Sequence, residues 1–379
     1  MDLTEFKAGI AVKQPTGYKS FIPEPINHTF TWKDPTINIL LEKATLQLGA
    51  LNSFSQFVPD IDLFIKMHVV KEATESSRIE GTQTNIEEAL VQQADLSPEK
   101  RNDWQEVNNY IKAMNHAIPR LQTLPLSSRL LKETHKILLD GVRGEHKLPG
   151  EFRSSQNWIG GASLNDAVFI PPHHHEVDRL IGDLENFIHS DEITVPHLIK
   201  IALAHHQFET IHPFLDGNGR IGRLMITLYL MENKIIDKPI LYLSDFFEKY
   251  KGLYYDNLTE VRRSNNLTQW IRFFLEGVTQ TCETATSSLQ QIMQLRRHCE
   301  GSRIITLGKK VPNAKKLLDY LFTQPVITAQ DVAKVLNVSL VSSYKMIDDF
   351  TQAGILKEAT GFKRNRFFIF KEYVDIFHK

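Results

Sequence analysis

The chain has 379 residues, is 42% hydrophobic and 23% charged, and carries a formal net charge of -1. That length allows two or three domains with buried cores, and the near-neutral balance excludes a protein that coats nucleic acid or an acidic membrane with its whole surface. Two cysteines, Cys282 and Cys299, exclude a secreted disulfide scaffold and a cysteine-built zinc site. The start, Met1-Asp2-Leu3-Thr4-Glu5, lacks the basic-then-apolar order of a signal peptide. No run approaches the roughly 18 apolar residues of a membrane span. A soluble cytoplasmic protein without membrane contact is expected.

Residues 1 to 35 carry Pro15, Pro23, Pro25 and Pro35 and read as an extended lead-in. Helical spacing begins near Thr36 with Ile39, Leu40, Ala44, Leu48 and Leu51, and resumes with Ile61, Phe64, Met67 and Val70. Amphipathic stretches follow at Leu130 to Leu138 and Leu180 to Ile188, then a strongly apolar one from Leu198 to Phe208. Another begins at Ile221 with Leu224, Met225 and Leu228. Between Trp158 and Pro172, two short apolar runs flank Gly160-Gly161 and Asn165-Asp166, which predicts a β-hairpin. The fold class is therefore mainly α with one small hairpin.

Past Gly301 the character changes. A helix from Ala314, an N-capped start at Thr328 and a helix through Val341 to Phe350 are predicted. Two strands, Gly354-Ile355-Leu356 and Phe367 to Phe370, then flank the basic turn Gly361 to Arg366. This order resembles a winged helix. Lys and Arg exceed Asp and Glu there by about six, which suits a phosphate backbone, although winged helices also dock on protein alone. The expected domains are a helical region at 1–110, a core at 111–295 and the winged helix at 302–379.

The chemistry concentrates between His212 and Arg223. A helix ends near Ile211 and another begins near Gly219. Gly217 and Gly219 let anions approach the amides, and with Asn218 these N–H groups and the next helix's start form an anion nest. Arg220 and Arg223 share one face of that helix and add forked donors for phosphate. Asp216 offers a hard oxygen suited to Mg²⁺, and His212 titrates near neutrality, as a general base should. Together these predict a phosphate-transfer site. Gly217 to Gly222 also matches GxGxxG, but a dinucleotide site needs a preceding strand and here the preceding residues read as helix. No GxxxxGK[ST] occurs. His173-His174-His175 and His205-His206 are read as surface or supporting residues, not as a metal site.

At this loop the chain resembles the Fic family, whose signature HxFx(D/E)GNGRxxR is filled by His212, Phe214, Asp216, Gly217, Asn218, Gly219, Arg220 and Arg223. Leu148 to Arg153, Val168 to Pro172, Tyr254-Tyr255 and Trp270 to Leu275 resemble flanking stretches of that family. The resemblance implies a Fic-type helical core with a hairpin flap and transfer of AMP from ATP to a protein hydroxyl. His212 would be the base, Asp216 the Mg²⁺ ligand, and Gly217, Asn218, Gly219, Arg220 and Arg223 the phosphate contacts. Phe214 would anchor the loop from inside. Tyr254 and Tyr255 would line the nucleobase pocket or else belong to the core, and Arg262 falls where some members have Asn. A target protein with an exposed Ser, Thr or Tyr hydroxyl would pair with the 160–170 flap. Ser76, Glu80 and Gly81 resemble the family's inhibitory motif, which implies Glu80 pairing with Arg223. Self-modification is expected too. The alternatives are AMP removal, with Glu80 positioning a water, and a DNA-binding regulator whose Fic site is secondary. A homodimer is one of the oligomeric states left open.

Overall fold

The computed structural model describes residues 1–359 and 366–378. Two antiparallel strands, β1 (Gly9–Lys13) and β2 (Lys19–Pro23), come first, with Gly9 opposite Pro23 and Lys13 opposite Lys19. The extended lead-in is thus a hairpin. Pro15 sits in its turn and Pro23 at its last pair, so the prolines bound the strands without interrupting their ladder.

Helix α1 (Pro35–Gln56) starts where Asp34 accepts from the Thr36 amide and Pro35 takes the first turn. It lies along α11 (Leu267–His298), the longest helix. Between them in sequence run α2 (Ile61–Ile79), α3 (Ile86–Leu90), α4 (Arg101–Arg120), α5 (Ser128–Leu138), α6 (Val177–His189), α7 (His197–Ile211), α8 (Asn218–Glu232), α9 (Ser244–Lys249) and α10 (Lys251–Ser264). Helix α7 is buried on all sides from Leu198 to Ile211 and forms the centre, paired with α8. A central helix needs no polar face; of the two readings of His205 and His206, surface or supporting, their exposures of 0% and 3% exclude the first. The His205 ring is bonded by its two nitrogens to the Gly222 carbonyl and the Tyr254 hydroxyl, each at 2.9 Å.

Helix α2 is buried over most of its second half, including Glu72, Thr74, Glu75, Ser76 and Ser77. Glu72 is satisfied there by hydroxyl donation from Ser244 at 2.5 Å and Tyr110 at 3.3 Å. Its other end meets the C-terminal region, where Phe64 packs edge-on against Phe322 and His68 against Phe377.

The C-terminal region comprises α12 (Val311–Leu321), β3 (Val326–Ile327), α13 (Ala329–Leu336), α14 (Leu340–Gln352), β4 (Lys357–Glu358), β5 (Phe368–Ile369) and α15 (Lys371–Val374). The strands form an antiparallel sheet in the order β3-β5-β4. Thr328 and Asp331 close the expected capping box of α13. Pairing begins at Lys357, later than the predicted Gly354-Ile355-Leu356, because Ile355 and Leu356 turn into the core. Of the basic turn, Gly361, Phe362, Lys363, Arg364 and Asn365 lie outside the described residues. Arg366 is described and pairs with Glu358 at 3.3 Å. No helix among the described residues is long and apolar enough to cross a membrane.

Candidate active site

Helix α7 ends on His212, which caps it in the left-handed region (φ 52°, ψ 61°). A non-glycine residue there costs about 1 kcal/mol or more and persists only where its surroundings impose it. Those surroundings are explicit. The His212 carbonyl accepts from Arg153 Nε at 2.9 Å and Asn157 Nδ2 at 3.2 Å, and Pro213 O accepts the Arg153 amide at 2.9 Å. Asn218 closes the loop from the other side: its Oδ1 accepts from Phe214 N and its Nδ2 donates to Phe214 O, both at 2.8 Å.

Phe214 is fully buried, stacked on the His135 ring at 3.8 Å between centroids and 11° between planes. His135 Nδ1 accepts from the Gly150 amide, so Nε2 carries the proton and donates to the Asp216 carbonyl, each at 2.9 Å. Burial pushes the His135 pKa down to about 4 and holds the ring neutral, as this arrangement requires.

Gly217 (φ 75°) then turns the chain into α8. Gly219 marks a close approach: a Cβ there would stand 2.2 Å from Glu80 Oε1 and 2.8 Å from an Arg223 nitrogen. The carboxylate of Glu80 therefore lies directly over the first turn of α8. Arg223, itself buried, donates to Glu80 Oε1 at 2.7 Å and to Ser76 Oγ and the Ser76 carbonyl at 2.9 Å each. Burial acts to raise the Glu80 pKa, but Arg223, aided by Arg220 and His212, outweighs it and holds the group ionised. Gly81 follows with φ 103°, and Lys251 Nζ donates to the Ile79 carbonyl at 2.6 Å, pinning the end of α2.

Arg220 is buried between Glu106 (3.5 Å) and Asp216 (3.6 Å), and its Nε has no hydrogen-bond partner. Such a buried donor is suited to an incoming anion oxygen. Asp216 uses Oδ1 to accept from the Gly217 amide at 2.6 Å, and its side chain remains 43% exposed beside the nest. One open hard carboxylate next to the loop's amides fits Mg²⁺, which keeps waters and takes few protein ligands.

Glu80, Trp158, His212, Gly219, Arg223, Tyr254, Tyr255 and Arg262 line one cavity of about 490 Å³. His212 Nδ1 is buried, unpartnered and 3.8 Å from Glu209 Oε2, too far for a hydrogen bond. The titration near neutrality expected from the sequence is not found: burial, reinforced by Arg262 and Arg153, pushes its pKa down to about 3, so the ring is neutral at pH 7. Burial pushes Glu209 up to about 7. Tyr254 is 1% exposed and stacks on Phe247 at 4.4 Å, while Tyr255 remains 40% exposed. Tyr254 thus serves core and cavity wall at once. Arg262 bonds Thr210 Oγ1 and Glu209 O at 3.1 Å each and lies 4.0 Å over the Phe169 ring.

The flap is less regular than its sequence pattern suggests. A single antiparallel bridge, Ile159 to Phe169, replaces the expected ladder. Gly160 and Gly161 take positive φ, and the Asp166 carboxylate accepts from the Ala162 and Ser163 amides. Those side-chain bonds make a loop where a hairpin turn would continue the strands. Strand β2 meets the flap's returning arm, with the Phe21 amide donating to Ile170 O at 2.9 Å.

Arg153, Asn157, His135, Glu106 and Lys251 were not found as site residues by sequence reasoning. They lie between 55 and 172 positions from their partners in the loop, on α8 or on α2 and carry no local motif. Leu148 to Arg153 and Trp158 were noticed, but nothing in them indicates that Arg153 and Asn157 hold the carbonyls of the loop.

A family model described as Fic/DOC family N-terminal matches residues 39–119, and one described as Fic/DOC family matches residues 125–230. Curated relatives include a protein adenylyltransferase Fic of Aedes aegypti, 30% identical over 150 residues, which are 38% of this chain and 27% of that protein. One of the same name from Drosophila grimshawi is 27% identical over 200 residues, 50% of this chain and 38% of that protein. The chain thus spans well under half the length of either relative. The fold is shared with a Fic family protein from Desulfovibrio desulfuricans G20 (TM-score 0.56, 19% identity, 90% of this chain and 98% of that one). It is shared also with a Fic domain containing signaling protein from Bacteroides thetaiotaomicron (TM-score 0.52, 18% identity, 67% of this chain and 97% of that one). Two adjoining Fic/DOC family models thus match this chain, and its fold is shared with a Fic family protein along nine tenths of its length.

Proposed function

We propose that the protein transfers AMP from ATP to a hydroxyl side chain of a target protein, itself included. The observation that carries this reading is an anion already seated at the nest: the Glu80 carboxylate, over Gly219 and against Arg223. A group that receives a carboxylate there can receive a phosphate oxygen.

In this reading the amides of Gly217, Asn218 and Gly219 and the guanidinium groups of Arg220 and Arg223 hold the phosphates of ATP. The target hydroxyl is placed between the flap and His212. Because His212 Nδ1 is buried, its Nε2 takes the hydroxyl proton. The hydroxyl oxygen bonds to the α-phosphorus, the bond from that phosphorus to the bridging oxygen breaks, and pyrophosphate leaves. A positioned base contributes on the order of 10²–10⁴ in rate, and oriented amides and arginines supply much of the remainder. Mg²⁺ held by Asp216 would neutralise charge on the phosphates.

Glu80 acts here as a brake, since one Arg223 fork serves either the carboxylate or a phosphate. The relatives' name supports the donor and reaction, and the anion nest supports the phosphate contacts. The target would extend along the flap, whose two arms are joined by the Ile159 to Phe169 bridge and no longer ladder. Residues 302–379 we read as a winged helix that docks a partner, in keeping with its helix order and antiparallel sheet. A second reading, AMP removal, draws on Glu80 and His212 facing the same cavity.

The test is incubation of wild type, Glu80→Gly and Glu80→Gly/His212→Ala with Mg²⁺ and ATP labelled at the α-phosphate. Label on protein in Glu80→Gly, little in wild type and none in the double variant is expected. Equal labelling of all three would refute both the base and the brake.

A further inference from the structure

Three consecutive histidines follow Pro171-Pro172 on the flap's returning arm. Adjacent side chains normally diverge, by about 100° on a helix and 180° on a strand. Here they converge. His173 is extended (φ -59°, ψ 142°) and His174–Glu176 curl at once into a 3-10 turn. The change of conformation at that junction gathers the three rings, with centroids 4.2, 4.9 and 4.2 Å apart. One ring nitrogen from each lies within 4.8 Å of the others, and His174 Nδ1 is buried with no hydrogen-bond partner.

We propose that His173, His174 and His175 form a three-nitrogen site for a borderline divalent transition metal, Zn²⁺ in the first place. Three neutral imidazoles suit Zn²⁺, Ni²⁺ or Cu²⁺ and not Mg²⁺ or Ca²⁺, which demand oxygen. Nitrogens around a tetrahedral zinc stand about 3.4 Å apart, from a Zn–N bond of about 2.1 Å. The further closure needs only ring rotation, and His175 is exposed and His173 and His174 half-buried. Two charges bear on the site from outside: Arg153 opposes a cation and Glu176 favours one, although Arg179 holds that carboxylate at 2.8 Å. Three protein nitrogens leave one position for water or a donor from a partner.

The location gives the site a consequence. Pro172, immediately before it, has its carbonyl held by Arg153 at 2.5 Å, and the same guanidinium holds His212 O. A metal at His173 to His175 would fix the arm at its root, beside the anchor shared with the catalytic loop.

The full chain, freed of metal by chelator and held in excess Mg²⁺ to occupy the Asp216 region, would be titrated with Co²⁺ as a spectroscopic stand-in for Zn²⁺. Wild type is expected to bind one equivalent with the intense visible absorption of tetrahedral, nitrogen-ligated Co²⁺, displaced by Zn²⁺. His174→Ala and, separately, the exposed His175→Ala should weaken binding at least tenfold and abolish that absorption. His146→Ala, an exposed histidine elsewhere, should leave both unchanged, with thermal melts confirming that every variant is folded. Binding by wild type no tighter than by His174→Ala, or a spectrum without tetrahedral character, would overturn the proposal.

Discussion

The loop from His212 to Arg220 and the flap from Asn157 to Pro172 face one cavity and are built on opposite plans. Side chains bolt the loop: Arg153 and Asn157 on its carbonyls and His135 beneath it, all from distant parts of the sequence, and its own Asn218 across it. The flap has a single bridge, a turn closed by its own Asp166, and apolar side chains left out in solvent, Trp158 at 40% and Val168 at 72% exposure. In the proposed reaction the difference follows from what each would do. A group that holds developing charge gains most from being fixed in advance. A strip that pairs with a partner's backbone must keep its own backbone groups free until the partner arrives.

The sharpest way to test the fixed side is to remove its base. In a Glu80→Gly background, His212→Ala should lower the rate of AMP transfer by about 10²–10⁴ while nucleotide affinity, read by calorimetry, changes only a few-fold. Equal losses in rate and affinity would make His212 a binding residue.

Arg153→Ala breaks both sides of the comparison together, because one guanidinium serves His212, Ile211 and Pro172. Leaving those buried carbonyls unpaired should cost about 3 kcal/mol in denaturant unfolding. Lysine should restore little, since a single ammonium cannot reproduce the fork.

His135→Phe keeps the stack on Phe214 and loses the bonds to Asp216 O and from the Gly150 amide, at a cost of about 2 kcal/mol at pH 7.5. It should also change the acid limb. The folded pKa of His135, about 4, lies below its ordinary 6.5, so the unfolded chain takes up the proton first. The stability this group contributes is complete above pH 6.5 and is lost as pH falls from 6.5 toward 4. Melting temperature should therefore fall less steeply across that window in His135→Phe than in wild type. Parallel curves would mean that His135 is not held neutral by the loop.

The smallest effect belongs to the flap. Trp158→Ala should raise KM for a protein target a few-fold and leave kcat and folding stability nearly unchanged, the pattern of lost uniform binding. A fall in kcat instead would show that the flap is as much part of the fixed machinery as the loop.

How far the molecule could be read from its sequence follows the same division. The loop was legible because its chemistry is contiguous, from His212 to Arg223, and Ser76 to Gly81 was legible because one helical turn carries it. Helices α1, α2, α7 and α8 were legible from apolar spacing. The bolts were not. Arg153, Asn157 and His135 act on backbone atoms of residues 55 to 81 positions away, and such bonds leave no pattern in side-chain spacing. The β1-β2 hairpin was hidden by prolines that sit at its bounds. The flap misled in the opposite direction, since Asp166 captured the amides that a hairpin would have used. For His205 and His206 the sequence left surface and supporting roles open, because adjacent side chains on a helix diverge, and α7 is covered on every side.

The most direct measurement compares two positions of the same label. Glu80→Gly is incubated with Mg²⁺ and ATP carrying ³²P at the α- or at the γ-phosphate, and protein-bound label is read after denaturing electrophoresis. Transfer of AMP by the His212 loop requires label from the α-position and none from the γ-position. Label from the γ-position would mean phosphoryl transfer, and would contradict the placement of the α-phosphorus beside His212.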